Sequence, residues 1–98
     1  MRLPVVFHRA ARADFDEAHA WYEKQRPGLG EEFSERVHEV LTRIAAFPEI
    51  HQCIYKDVRR AVLRQFPFVV LYRVKPKQIR VIAVFHGRRN PTVWQARS

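Results

Sequence analysis

Leu29–Phe47, LGEEFSERVHEVLTRIAAF, is the stretch on which the fold turns. Leu29, Phe33, Val37, Val40, Leu41, Ile44 and Phe47 fall at offsets 0, 4, 8, 11, 12, 15 and 18, a sustained 3.6-residue stripe. Glu31, Glu32 and Glu35 occupy its first turns, where the helix dipole favours negative charge. Pro48 marks its end. The spacing predicts one long helix with a single buried face.

Upstream, Arg9 to Gln25 repeats Phe15, Ala18 and Tyr22 at three and four, with Trp21 flanking the stripe and acidic residues between. Arg26-Pro27-Gly28 stops this first helix and is too short for anything but an αα-hairpin, so the two helices run antiparallel. Before them, Leu3 to Phe7 is β-branched and aromatic, a short strand in which Pro4 suits an edge or the strand's start. Two apolar stripes now need a cover.

The downstream half supplies it. Val58 to Phe66, Phe68 to Val74 and Gln78 to His86 are strand-like, separated at Pro67 and at Lys75-Pro76-Lys77, breaks short enough for hairpins. They form an antiparallel meander whose last member, apolar on both faces, is expected to be central. The tail from Gly87 is basic with one aromatic, Trp94. The expected architecture is α+β, in the order β-α-α-β-β-β. Its helical hairpin packs on one face of a mostly antiparallel sheet, and the other face and the strand ends carry arginines.

The 98 residues allow one domain, 1–98, and a hydrophobic share of 47% fits a folded globule. No apolar run reaches a membrane span, and Met1 to His8 is too short an apolar stretch for a signal peptide. A lone cysteine, Cys53, excludes an intrachain disulfide and the usual zinc quartets, so a cytoplasmic protein without a metal is expected. His8, His19, His38 and His51 show no ligand spacing, and no carboxylate pair stands in the basic half, which argues against metalloenzyme and glycosidase chemistry.

The formal net charge of +8 is unevenly spread. Residues 1–50 carry seven basic and nine acidic side chains, while residues 51–98 carry eleven basic and one acidic, Asp57. Such a concentration builds a field that attracts polyanions, whether RNA, DNA or an acidic protein segment.

Several stretches together carry a family resemblance. Ala18-x-x-Trp21-Tyr22-Glu23-x-Gln25-x-Pro27-Gly28-Leu29-Gly30-x-x-Phe33 is followed by Pro48, Arg59-Arg60-Ala61-x-Leu63, Phe66-Pro67-Phe68 and Tyr72. Ala83-Val84-Phe85-His86-Gly87-Arg88-Arg89-Asn90-Pro91-x-x-Trp94 completes the series. The whole chain resembles the RelE/ParE superfamily, the toxin halves of bacterial type II toxin–antitoxin modules, in the subgroup often called plasmid-stabilisation proteins. The resemblance implies a cognate antitoxin whose acidic segment folds over the basic surface and holds the toxin inactive. It also implies one of two targets: messenger RNA on the ribosome, which one branch cleaves, or DNA gyrase, which the ParE branch poisons without hydrolysis. No cofactor is implied.

Metal-free RNA cleavage needs a base, an acid and cations on the phosphate. Arg60 and Arg88 are the candidate phosphate clamp, because guanidinium forks match phosphate oxygens. As a histidine, His86 is a candidate acid or base, and it equally suits a strand-ending hydrogen bond to backbone. Trp94 stands where RNA-cleaving relatives tend to place a tyrosine. An indole has no titratable hydroxyl, so it either stacks on a base or plugs the end of the sheet. Tyr72 reads as sheet or core, and Tyr55 falls in a loop. The incomplete acid–base set favours ParE-like, non-hydrolytic inhibition over the endonuclease, with a non-toxic nucleic-acid-binding or adaptor domain as the third alternative. Arg59, Arg64, Arg73, Arg80, Arg89 and Trp94 are the expected contacts for target or antitoxin.

Overall fold

The computed structural model describes residues 3–97. Strand β1 (Val5–Phe7) leads into helix α1 (Arg9–Gln25), which begins where the His8 side chain accepts the Ala10 N–H through Nδ1 at 3.0 Å. Helix α2 (Leu29–Ala46) follows Gly28, whose φ of 90° reverses the chain in the left-handed region where glycine is favoured. Glu23 caps α2 from the neighbouring helix, its carboxylate accepting the N–H groups of Gly28 at 2.9 Å and Gly30 at 3.0 Å. Those two bonds hold the Glu23 carboxyl below the usual carboxylate range.

Four strands follow: β2 (Cys53–Tyr55), β3 (Val58–Val62), β4 (Phe68–Val74) and β5 (Ile79–His86), then a single helical turn, α3 (Thr92–Gln95). The sheet order is β1-β5-β4-β3-β2. β1 runs parallel to β5 and every other pairing is antiparallel. The expected α+β architecture is present, with β1 at an edge and β5 paired on both sides. Several details differ from the sequence reading, beyond strand starts at Val5 and Ile79 in place of Leu3 and Gln78. The first meander strand stops at Val62 rather than Phe66, because the chain turns through Gln65 at φ 73° and Leu63 N–H bonds to Phe68 C=O. β2 went unnoticed because three residues beside Lys56-Asp57 carry no legible alternation. The tail holds a helical turn.

Two apolar layers result. On the helix side, Ala61, Val70, Tyr72, Val81 and Val84 meet Phe33, Val37, Val40 and Ile44 from the α2 stripe. On the opposite face, Val58, Leu71, Ile82, Ala83 and Phe85 form a second cluster under Trp94 of α3. The second layer corrects the expectation of an arginine-covered face. Its centre is apolar and its cations stand around the margin.

Candidate functional site

The meander sorts its arginines by strand alternation. Arg59 lies opposite Tyr72 on the helix side and Arg60 opposite Leu71 on the open face. Arg59 Nη1 donates to the carbonyls of Glu49 at 3.0 Å and His51 at 2.7 Å, tying down the α2–β2 connection. Arg60 is exposed on the groove side of the open face. Arg64 turns back to α2, donating to both oxygens of Glu39 at 2.7 and 2.9 Å. Arg73 pairs with Asp57 at 3.3 Å and faces Arg80 across β4 and β5. Of the expected contacts, Arg59 and Arg64 are therefore built into the fold's own hydrogen bonding.

The open face holds a groove of about 220 Å³, floored by Val69, Leu71 and Phe85 and flanked by Arg60, Arg89 and Trp94. The Arg89 guanidinium lies 4.6 Å from the centroid of the Phe85 ring, a cation–π contact that keeps its charge beside an apolar floor. Arg88 is exposed next to it. His86 closes β5: its Nδ1 accepts the Arg88 N–H at 3.1 Å, the strand-ending bond to backbone, and its ring sits 5.6 Å from Phe68. The structure thus brings Arg60, His86, Arg89 and Trp94 together around the groove, while Arg88 is exposed and is not part of its lining.

Trp94 is only 5% exposed and meets the edge of Tyr55 at 5.7 Å, so it closes the sheet rather than offering a stacking surface. Tyr72 donates its hydroxyl to the Pro48 carbonyl at 2.7 Å, and burial pushes its pKa up to about 12. Neither side chain offers a mobile acid or base. Among the described residues, no cluster of three or more His, Cys, Asp or Glu side chains could hold a metal ion, and no helix is long and apolar enough to cross a membrane.

Sequence reasoning missed a second feature. On the helix side of β5, Ala18, Tyr22, Phe68 and Val84 floor a groove of about 170 Å³ lined also by Glu17, Trp21, His86, Arg89 and the Arg97-paired Asp14. Its sequence signal was Glu17-x-x-x-Trp21, one helical turn that sets a carboxylate beside an indole. Asp14, which lines this groove, and Arg97, which it binds, carried no local pattern.

A helical hairpin on a five-stranded sheet, with a cation-flanked apolar groove on the far face, agrees with the type II toxin–antitoxin toxin class that the sequence resemblance implies. Residues 5–91 match the family model described as ParE toxin of type II toxin–antitoxin system, parDE, and the chain belongs to that family. Among curated relatives, Toxin ParE2 of Mycobacterium tuberculosis is 30% identical over 90 residues, covering 91% of this chain and 86% of the relative. A solved structure of the chromosomal ParDE system from P. aeruginosa superimposes with a TM-score of 0.76 over 87% of this chain and 96% of its own, at 20% identity. At that identity the likeness establishes the fold.

Proposed function

We propose that this toxin arrests growth by binding DNA gyrase without breaking a covalent bond, and that an acidic antitoxin segment silences it by occupying the open-face groove. The carrying observation is the commitment of the groups that RNA cleavage would need. The Tyr72 hydroxyl is bonded to Pro48 and Trp94 is packed as a plug, so His86, which accepts the Arg88 N–H through Nδ1 and keeps Nε2, stands without either of them as a second acid or base. What remains exposed, Arg60, Arg88 and Arg89, suits attraction of an acidic partner rather than acid–base chemistry. An apolar floor with guanidinium flanks fits a segment that alternates apolar and acidic residues and orders on binding. The proposed target places the toxin in the cytoplasm.

The decisive experiment is a supercoiling assay with purified gyrase and micromolar toxin. Inhibition relieved by adding antitoxin is the expected result. Unchanged supercoiling overturns the reading. If the same preparation instead cuts messenger RNA on ribosomes and Arg88→Ala abolishes that cutting, the endonuclease built from Arg60, His86 and Arg88 takes its place. Normal growth on expression without the antitoxin would leave the adaptor reading.

A further inference from the structure

The groove on the helix side of β5 differs in chemistry from the open face. Both grooves share His86 and Arg89, but the open-face groove has no carboxylate in its lining, whereas this one adds Glu17 and Trp21 from α1, with Asp14 already engaged by Arg97. Glu17 is exposed and has no hydrogen-bond or ion-pair partner among the described residues. Trp21 is 57% exposed, an unusual position for the largest side chain, and is held on edge against Tyr22 at a centroid distance of 5.1 Å. Both project from one face of α1, a turn apart. Glu17 would repel an acidic side chain, and a purely apolar one would leave that carboxylate unused.

We propose that this groove is a socket for a single arginine side chain of a partner protein. Resting on the toxin reading above, the partner is the antitoxin. The guanidinium plane lies on the Trp21 indole while its fork donates to the Glu17 carboxylate, and the aliphatic stem covers Ala18 and Phe68. Lysine, a point charge without a plane, fits less well. Across the groove, His86 presents Nε2–H, because Nδ1 is already an acceptor, and Arg89 adds a second donor. Together they receive an acidic side chain or carbonyl next to the arginine. An otherwise acidic segment is thereby required to place one cation at a fixed position, which sets its register and separates cognate from non-cognate partners.

The test is an ¹⁵N-correlated NMR titration of the full chain with N-acetyl-arginine methylamide and with its neutral isostere, N-acetyl-citrulline methylamide, at equal ionic strength. The two indole N–H signals report separately: Trp21 at the socket and buried Trp94 as the internal reference. Expected is a saturable shift of Trp21 with the arginine probe, about threefold steeper than with citrulline, and reduction of that excess to nothing in Glu17→Gln. Equal responses to the two probes, an arginine response that survives Glu17→Gln, or a shift confined to Trp94 overturns the socket. Spectral dispersion confirms folding in the same experiment, and both probed side chains are exposed. A chain that shows the arginine-dependent shift yet spares gyrase keeps the socket and loses the gyrase reading, so the two failures are distinguishable.

Discussion

Arg97 donates to both carboxylate oxygens of Asp14, at 2.6 and 3.3 Å, across 83 residues of chain. The pair stands where β1 runs out. β1 ends at Phe7 opposite Val81, so farther along β5 the Val84 N–H and the Ile82 carbonyl have no strand beside them. Asp14 accepts the first at 3.1 Å and Arg97 donates to the second at 3.0 Å, two side chains completing a ladder that backbone does not reach. Arg97 also stacks 5.7 Å from the Phe85 ring, which fixes the tail and holds Trp94 over the open face.

Asp14→Ala is therefore expected to cost about 3 kcal/mol, since it leaves Arg97 unpaired at 14% side-chain exposure and strands the Val84 N–H. For a domain of this size that lowers Tm by about 15 °C. Asp14→Asn, which keeps an acceptor, recovers part of the loss. Calorimetry on the two variants checks the order, and an unchanged Tm in Asp14→Ala refutes the role given to the pair.

The α2 stripe was legible because long helices advertise a 3.6 period over many residues, and Phe33, Val37, Val40 and Ile44 are indeed fully buried. β5 was legible as an inner strand because both of its faces are apolar. The clasp of Asp14 and Arg97 and the Arg64–Glu39 pair were not, because each joins residues that only the tertiary fold brings together, and the Glu23 cap was not because it depends on the geometry of the turn at Gly28. The open face was misjudged for a related reason. Arginine content says how many cations a strand carries, whereas alternation and the tail decide that Arg59 points under the helices and Trp94 covers the apolar centre.

Arg59 and Arg60 make that point testable. Arg59→Ala releases two carbonyls from a charged donor and is expected to cost about 2 kcal/mol without altering groove chemistry. Arg60→Ala removes an exposed side chain, so stability stays within about 0.5 kcal/mol. Antitoxin affinity nevertheless falls about tenfold, if the open-face groove is the docking surface. Urea unfolding and calorimetric titration on the same preparations give both numbers, and a stable Arg60→Ala chain with full affinity removes the groove from the interface.

Acid sensitivity follows from Glu39. The Arg64 hydrogen bonds lower its pKa from 4.5 to about 2, with Arg36 and Arg43 contributing. A carboxyl depressed in the folded state contributes stability that is fully present above 4.5 and is lost as pH falls toward 2. Glu23, also depressed, acts in the same direction. The urea midpoint should decline across that window, and Glu39→Gln should flatten the decline while lowering the midpoint at neutral pH. Added salt should do likewise, because the pair is solvent-exposed. A Glu39→Gln profile parallel to the parent's would show that Glu39 contributes nothing to it.

Gly30 lies where α1 and α2 approach most tightly. A Cβ there would stand 2.8 Å from the His19 carbonyl oxygen and 2.9 Å from Glu23 Oε1. Helix propensity alone makes Gly→Ala favourable by about 1 kcal/mol. The obstructing atom, however, is backbone, so the hairpin must open and the Glu23 cap must move with it. Overpacking of that kind costs about 2–3 kcal/mol, which outweighs the propensity gain and leaves Gly30→Ala less stable by about 1–2 kcal/mol. A urea midpoint that rises in this variant would mean that the helices separate freely. The Tyr22–Phe33 contact at 5.3 Å, which depends on their approach, would then no longer anchor the floor beneath Trp21.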